Sequence, residues 1–218
     1  YYPRGLTKLS KVTIAEGTTV IGARAFMTAL RSEFDSLTEV VIPNTVETIG
    51  ANAFYGRSKL ATLNLSGVKT VGDQAFYNCS SLKNLDLTSA ETIGAAAFAN
   101  TTALKVAEMP SLTKVGASAF QNSGIETLVL GSIEVIDSYA FANTKIKSLT
   151  IPSSLSSYTY DESWFEINTN GDPEEIKGKK TLRIMNGAFQ NLINLTKFDV
   201  ESTNAAFFAD ERGALYAR

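Results

Sequence analysis

The sequence predicts a β-rich repeat solenoid of about eight coils, and three observations carry that expectation. A block of the form I/V-G-x-x-A-F recurs along the chain, its phenylalanines falling at Phe26, Phe54, Phe76, Phe98, Phe120, Phe141 and Phe189. From Phe54 to Phe120 the three successive intervals are each 22 residues. A second block, L-x-x-L-x-L, precedes the first in each period, most clearly at Leu60/Leu63/Leu65, Leu82/Leu85/Leu87 and Ile125/Leu128/Leu130. Self-similarity at a short fixed period marks coils that bury a shared core only by stacking.

The elements of one coil follow in order. Apolar alternation at the end of L-x-x-L-x-L predicts a short strand with one buried face. Looser copies sit at Leu9/Val12/Ile14, Leu37/Val40/Ile42, Leu104/Ala107/Met109, Ile146/Leu149/Ile151 and Leu195/Phe198/Val200. The I-G-x-x-A-F block should build the opposite side as a short-helical or 3₁₀ turn. Its alanine recurs seven times (Ala25, Ala53, Ala75, Ala97, Ala119, Ala140, Ala188), which is expected where a larger side chain would meet the neighbouring coil. The phenylalanine should fill the interior between the two sides.

Glycine follows the Ile or Val in five copies, which points either to positive φ or to a close backbone approach. Asp137 in the sixth copy tolerates positive φ, whereas Met185 in the seventh does not. Asn recurs two places after the phenylalanine, at Asn78, Asn100, Asn122, Asn143 and Asn191. Stacked amides at one position of successive coils can hydrogen-bond along the axis, so this column is expected to be structural.

Composition narrows the function classes. The 218 residues are 44% hydrophobic and 19% charged, enough apolar material for a packed core. A net charge of −2 lacks the basic footprint that nucleic acid or an anionic membrane surface requires. No apolar run is long enough to span a bilayer, so no membrane insertion is expected within the chain. Histidine is absent and Cys79 is the single cysteine, so neither a Cys/His metal site nor an internal disulfide is expected. Phosphate-cradling glycine loops are missing too, and no cofactor is expected. The four N-x-S/T matches, at Asn64, Asn78, Asn100 and Asn194, fall mostly out of the repeat pattern.

Two segments depart from the period. Residues 27–36 lengthen the first coil and carry Arg31, Glu33 and Asp35, as a solvated loop or short helix would. A larger insertion covers about 153–180; it holds Tyr158, Tyr160, Trp164 and Phe165, then turns polar and glycine-rich. Insertions in solenoids map to one face, often the binding face. Those aromatics are therefore either a recognition patch or anchors that pin the insertion to the solenoid by burial. The stretch 168–175 spaces oxygen-bearing side chains like a calcium loop but lacks the glycine and terminal carboxylate of an EF-hand, so a polar turn is expected. At the ends, Tyr1, Tyr2 and Leu6 are expected to cover the first coil, and 203–218 to begin a further unit. The opening Tyr1-Tyr2-Pro3 suggests a processed or trimmed chain whose targeting signal lies outside it.

The stretch from Val71-Gly72-Asp73-Gln74-Ala75-Phe76 through Leu82-Lys83-Asn84-Leu85-Asp86-Leu87 resembles the BspA-type leucine-rich repeat. Ile42-Pro43 and Ile151-Pro152 match the I-P ending of that family, and the tail Asp210-Glu211-Arg212-Gly213-Ala214-Leu215-Tyr216 is similar to its D-G-V-L-Y element. The resemblance implies a right-handed leucine-rich repeat stack over 1–218. It also implies a secreted or surface-anchored protein of bacteria or protozoan parasites, often an adhesin. The implied partner is a protein or glycan on a host or microbial surface.

One outward column of the L-x-x-L-x-L strands should read Thr13, Val41, Asn64, Asp86, Glu108, Val129, Thr150, Asp199. Asp86 and Glu108 would be neighbours on adjacent coils, at a separation that could approach the ~5–5.5 Å of a retaining glycosidase pair. Against catalysis stand the lack of a histidine acid or base and a parallel row of Lys83, Lys105, Glu126 and Lys147 that reads as a solvated charge face. A non-catalytic binding module is therefore the leading expectation. Its candidate residues are Tyr158, Tyr160, Trp164, Phe165, Asn64, Asp86 and Glu108, and the runner-up is a spacer holding another domain from the cell surface.

Overall fold

The structure, a computed structural model, describes residues 9–28, 36–83, 85–155, 158–167, 173–182, 187–200, 202, 207–209 and 215–217. For 158–167, 173–182, 207–209 and 215–217 it gives backbone path and register. The expected coverage of the first coil by Tyr1, Tyr2 and Leu6, the loop at 29–35, and Met185 lie outside the described residues.

The L-x-x-L-x-L segments stack in parallel along one side. Lys11–Thr13, Glu39–Val41 and Thr62–Leu63 form a three-stranded sheet; Val106–Met109, Thr127–Leu130, Ser148–Ile151 and Lys197–Val200 form a four-stranded one. Between them residues 85–87 lie outside the strand ladders, yet Leu82 and Leu87 remain fully buried. On the opposite side Val20–Ile21, Thr48–Ile49, Thr70–Val71, Thr92–Ile93, Lys114–Val115 and Val135–Ile136 form a six-stranded parallel sheet. Register follows the sequence columns, as in Thr48↔Thr70, Thr70↔Thr92 and Thr92↔Lys114. The described chain is thus a mainly β solenoid with eight L-x-x-L-x-L levels.

The core lies between the two sides. Phe54, Phe76, Phe98, Phe120 and Phe141 are fully buried and stack ring on ring, with centroids 5.1–5.4 Å apart and planes within 10°. The preceding alanines, Ala53 to Ala140, are buried to the same degree. Leu60, Leu82, Leu104, Ile125 and Ile146 close the core from the strand side.

The I-G-x-x-A-F segment is a chain of tight turns, and no helix occurs among the described residues. The physical reason lies in two left-handed residues per coil. One precedes the alanine (Asn52, Gln74, Ala96, Ser118, Tyr139, φ 52–59°) and the other falls in the Asn column (Asn78, Asn100, Asn122, Asn143, φ 58–62°). A right-handed helix cannot pass through positive φ. The backbone N–H groups alternate instead: Gln74, Phe76 and Asn78 donate to Ala95, Ala97 and Ala99 of the next coil at 2.8–3.0 Å, while Ala75 and Tyr77 donate within their own turns.

Positive φ therefore sits two residues past the glycines, which themselves adopt ordinary φ. Their role is the close approach: a Cβ on Gly72 would lie 2.7 Å from the backbone nitrogen of Ala51.

The position after the asparagines holds Cys79, Thr101, Ser123 and Thr144, all buried. Thr101 and Thr144 hydroxyls donate to the Phe98 and Phe141 carbonyls at 2.7 and 2.9 Å. The Ser123 hydroxyl is the one buried side-chain polar atom without a hydrogen-bond partner among the described residues. A buried unpaired hydroxyl forfeits hydration and gains nothing in exchange. Ser123→Ala is accordingly expected to raise stability by about 1 kcal/mol in urea denaturation, whereas Thr101→Ala lowers it by a similar amount.

Candidate functional site

Parts of the outward strand column are in register, as in Thr13↔Val41, Glu108↔Val129 and Thr150↔Asp199, whereas Asn64 and Asp86 fall outside the paired strands. Asn64, Asp86 and Glu108 are all exposed. Two of them are occupied by their own turns. The Asn64 side-chain oxygen accepts the Ser66 backbone N–H at 3.0 Å, and its amide donates to the Asn44 side-chain oxygen at 3.1 Å. The Asp86 carboxylate accepts the Thr88 N–H at 3.1 Å and hydroxyl at 2.6 Å. These short polar side chains close the turn that ends the strand, which is a local structural use.

The neighbouring charge row is a ladder across coils. Glu126 accepts from Lys105 at 2.7 Å and from Lys147 at 2.6 Å, one lysine on either side. Those two hydrogen bonds, reinforced by the lysine charges, lower its pKa from 4.5 to about 2. The side chain keeps 30% of its exposure, so solvent and salt screen the gain. A carboxylate with a lowered folded pKa contributes stability above its unfolded pKa and loses it as pH falls through the folded value. The stability difference between wild type and Glu126→Gln is therefore expected to be constant at neutral pH. It shrinks from pH 4.5 towards 2, and is reduced by added salt; urea titrations at several pH values check this.

The insertion differs from the loop that its composition suggests. Tyr158–Ile167 and Pro173–Leu182 pair antiparallel over ten rungs, from Tyr158↔Leu182 to Ile167↔Pro173, as a two-stranded ribbon. The ribbon leaves the stack undisturbed. Phe141 and Phe189, on either side of it in sequence, are stacked at 5.7 Å and 6°. Asn191 donates to Asn143 at 2.9 Å, extending the ladder Asn143→Asn122→Asn100→Asn78 of 2.8–2.9 Å bonds. Ser148 to Ile151 likewise pair directly with Lys197 to Val200.

The structure thus brings Tyr158, Tyr160, Trp164 and Phe165 together on one ribbon strand, and Asn64, Asp86 and Glu108 on the solenoid's strand face. Alternation places Tyr158, Tyr160 and Trp164 on one ribbon face and Phe165 on the other. The concentration of β-favouring Tyr, Thr, Trp, Phe and Ile at 158–167 is the signal for this strand. Of the suggested calcium loop, 168–172 lies outside the described residues and Pro173, Glu174 and Glu175 belong to the second ribbon strand. Among the described residues no group of three or more acidic, His or Cys side chains could hold a metal, and no helix is long and apolar enough to cross a membrane. The tail contributes a short antiparallel pair, Phe207–Ala209 with Leu215–Ala217.

The BspA type leucine rich repeat region, in six copies, matches residues 4–126 and 91–210. The chain belongs to the BspA-type leucine-rich repeat family. No curated protein matches it in sequence. Among solved structures, the leucine-rich repeat protein of T. pallidum is similar at 24% identity and a TM-score of 0.51, over 62% of this chain and 65% of that one. The pneumococcal vaccine antigen PcpA aligns at 19% identity and a TM-score of 0.48, over 96% of this chain and 44% of that one. A leucine-rich repeat protein from Bacteroides ovatus aligns at 20% identity and a TM-score of 0.40, over 92% of this chain and 68% of that one. The chain spans 65% of the T. pallidum protein's length and less than half of PcpA.

Proposed function

We propose that this BspA-type repeat module is a non-catalytic binding protein, secreted or held at the cell surface, whose ligand is a protein or glycan on a host or microbial surface. The observation that carries the reading is the ribbon at 158–182. The phenylalanine stack and the asparagine ladder continue across it, so the solenoid has no architectural need of it. A spacer gains nothing from an aromatic-bearing ribbon, whereas Trp and Tyr are the side chains that dominate binding hot spots. A second reading, a spacer, is favoured by the even strand face, where Thr62, Thr127, Ser148 and Thr150 are exposed and small.

The test is a panel of soluble matrix proteins and glycans offered to the chain and to a variant in which 158–182 is replaced by a short Gly-Ser link. The expected result is a ligand that binds the chain and not the folded deletion. Equal binding to both moves the site to the strand face, and no ligand at all favours the spacer. For catalysis the decisive assay is polysaccharide turnover by wild type against Asp86→Ala and Glu108→Ala; turnover lost in either variant would replace the binding assignment with an enzyme.

A further inference from the structure

The two faces of the ribbon differ in chemistry. Directly opposite residues of an antiparallel pair share a face, and faces alternate along each strand. One face therefore carries Tyr158, Tyr160, Glu162, Trp164 and Glu166 with Leu182, Lys180, Gly178, Ile176 and Glu174 across from them. It holds three aromatics and three carboxylates against a single ammonium. The other face pairs Asp161 with Lys179, sets Lys177 two rungs and Glu175 four rungs from them, and has Phe165 as its one aromatic. Its charges balance. Among the described residues no third strand joins the ribbon, so the aromatic and acidic face belongs to a two-stranded sheet.

We propose that this face docks an extended, lysine- and arginine-rich segment of a partner protein, an inference that rests on the binding reading above and names the partner's chemistry. Two properties select that occupant. Aromatic rings attract ammonium and guanidinium groups, and interleaved carboxylates complement their charge. Spacing is the second. Tyr158, Tyr160, Glu162, Trp164 and Glu166 follow one another at two-residue steps of ~6.8 Å, which is the step between same-side residues of any extended peptide. A partner with basic residues at alternate positions meets an aromatic or a carboxylate at every step.

Trp164 is the only tryptophan of the chain, so its fluorescence reports on the face directly. The experiment titrates the whole chain with an alternating Arg-Thr peptide about as long as one ribbon strand, with an alternating Glu-Thr peptide as control. The expected result is a saturable change in Trp164 emission with the Arg-Thr peptide alone, weakened by salt. Glu162→Gln with Glu166→Gln should weaken binding about tenfold while the rest of the chain keeps its circular dichroism and urea midpoint. Tyr160→Ala should weaken it about fivefold, the equivalent of a ~1 kcal/mol cation–π contact. An unchanged Trp164 emission, an equal response to both peptides, or indifference to the Gln substitutions overturns the proposal. A neutral glycan or a second copy of the chain that moves Trp164 emission while the Arg-Thr peptide does not would overturn the basic partner and keep the ribbon as the binding site. Panel ligands that bind equally without 158–182 overturn the site itself.

Discussion

Phe98→Ala is expected to destabilise the solenoid by ~3–5 kcal/mol in urea denaturation, the cost of emptying a large buried aromatic position. That is a large share of the ~5–15 kcal/mol by which most domains are stable. The ring is fully buried and stacked on Phe76 at 5.1 Å and Phe120 at 5.2 Å, so its loss leaves a void lined by two other rings. Collapse into the void is resisted on both sides. Phe76 N–H donates to Ala97 O, and Phe98 N–H to Ala119 O, at 2.8 and 2.7 Å, which fixes the backbones of three coils at their stacking distance. Phe26→Ala is the matched comparison. Phe26 is only half-buried and stacks on Phe54 alone among the described residues, so its removal should cost less than half as much. Because solenoid stability sums over coils and their interfaces, the Phe98 variant should also lose cooperativity. Hydrogen exchange would then show the coils before and after it opening separately. Equal losses for Phe26→Ala and Phe98→Ala would refute the stacked core as the main source of stability.

The columns that hold the fold together were readable because each repeats one physical demand seven or eight times. Phe98 on its own is an apolar residue; Phe54, Phe76, Phe98 and Phe120 at equal spacing are a stack. The asparagine ladder is legible for the same reason, since an amide offers both a donor and an acceptor to the next coil. Conformation within the period was harder to read. Gln74, Ala96, Ser118 and Tyr139 share a left-handed φ without sharing any side-chain type, so no sequence column announces it. Neighbouring coils impose that conformation through backbone bonds such as Ala96 N–H to Ala117 O. The ribbon was hidden by its occurrence in a single copy, where only the β-favouring residues at 158–167 signal a strand and glycine, proline and lysine at 171–180 obscure its partner. Of the candidate site, Asp86 shows the limit of column reasoning. Its place in the outward column is an expectation from the period that no strand pairing carries, and its commitment to the Thr88 turn depends on a local contact.

Gly72→Ala carries the second large effect, and its reason is crowding between coils. Gly72 has negative φ, so an alanine there meets no conformational penalty of its own. The added Cβ would instead stand 2.7 Å from the Ala51 nitrogen, 2.9 Å from the Gly50 carbonyl carbon and 3.1 Å from the Ala51 Cα. All three are backbone atoms, and they cannot rotate away as a flexible side chain could. The coils must separate locally, which lengthens the Gly72 N–H bond to Ile49 O, now 2.8 Å, and loosens the Thr70↔Thr48 pairing beside it. Overpacking of this kind costs ~1–3 kcal/mol, with backbone neighbours placing it at the upper end. Gly116→Ala should behave alike, since its Cβ would also lie 2.7 Å from a backbone nitrogen, that of Ala95. Gly22→Ala provides the control: the same column in the first coil has nothing among the described residues within 4 Å of the added atom. Negative φ and open space together predict no loss there, and a gain of ~0.4–1 kcal/mol because alanine narrows the unfolded ensemble. Urea midpoints for the three variants measured together test the argument. A loss at Gly22 equal to that at Gly72 would show that backbone conformation, and not the approach of the neighbouring coil, selects glycine in this column.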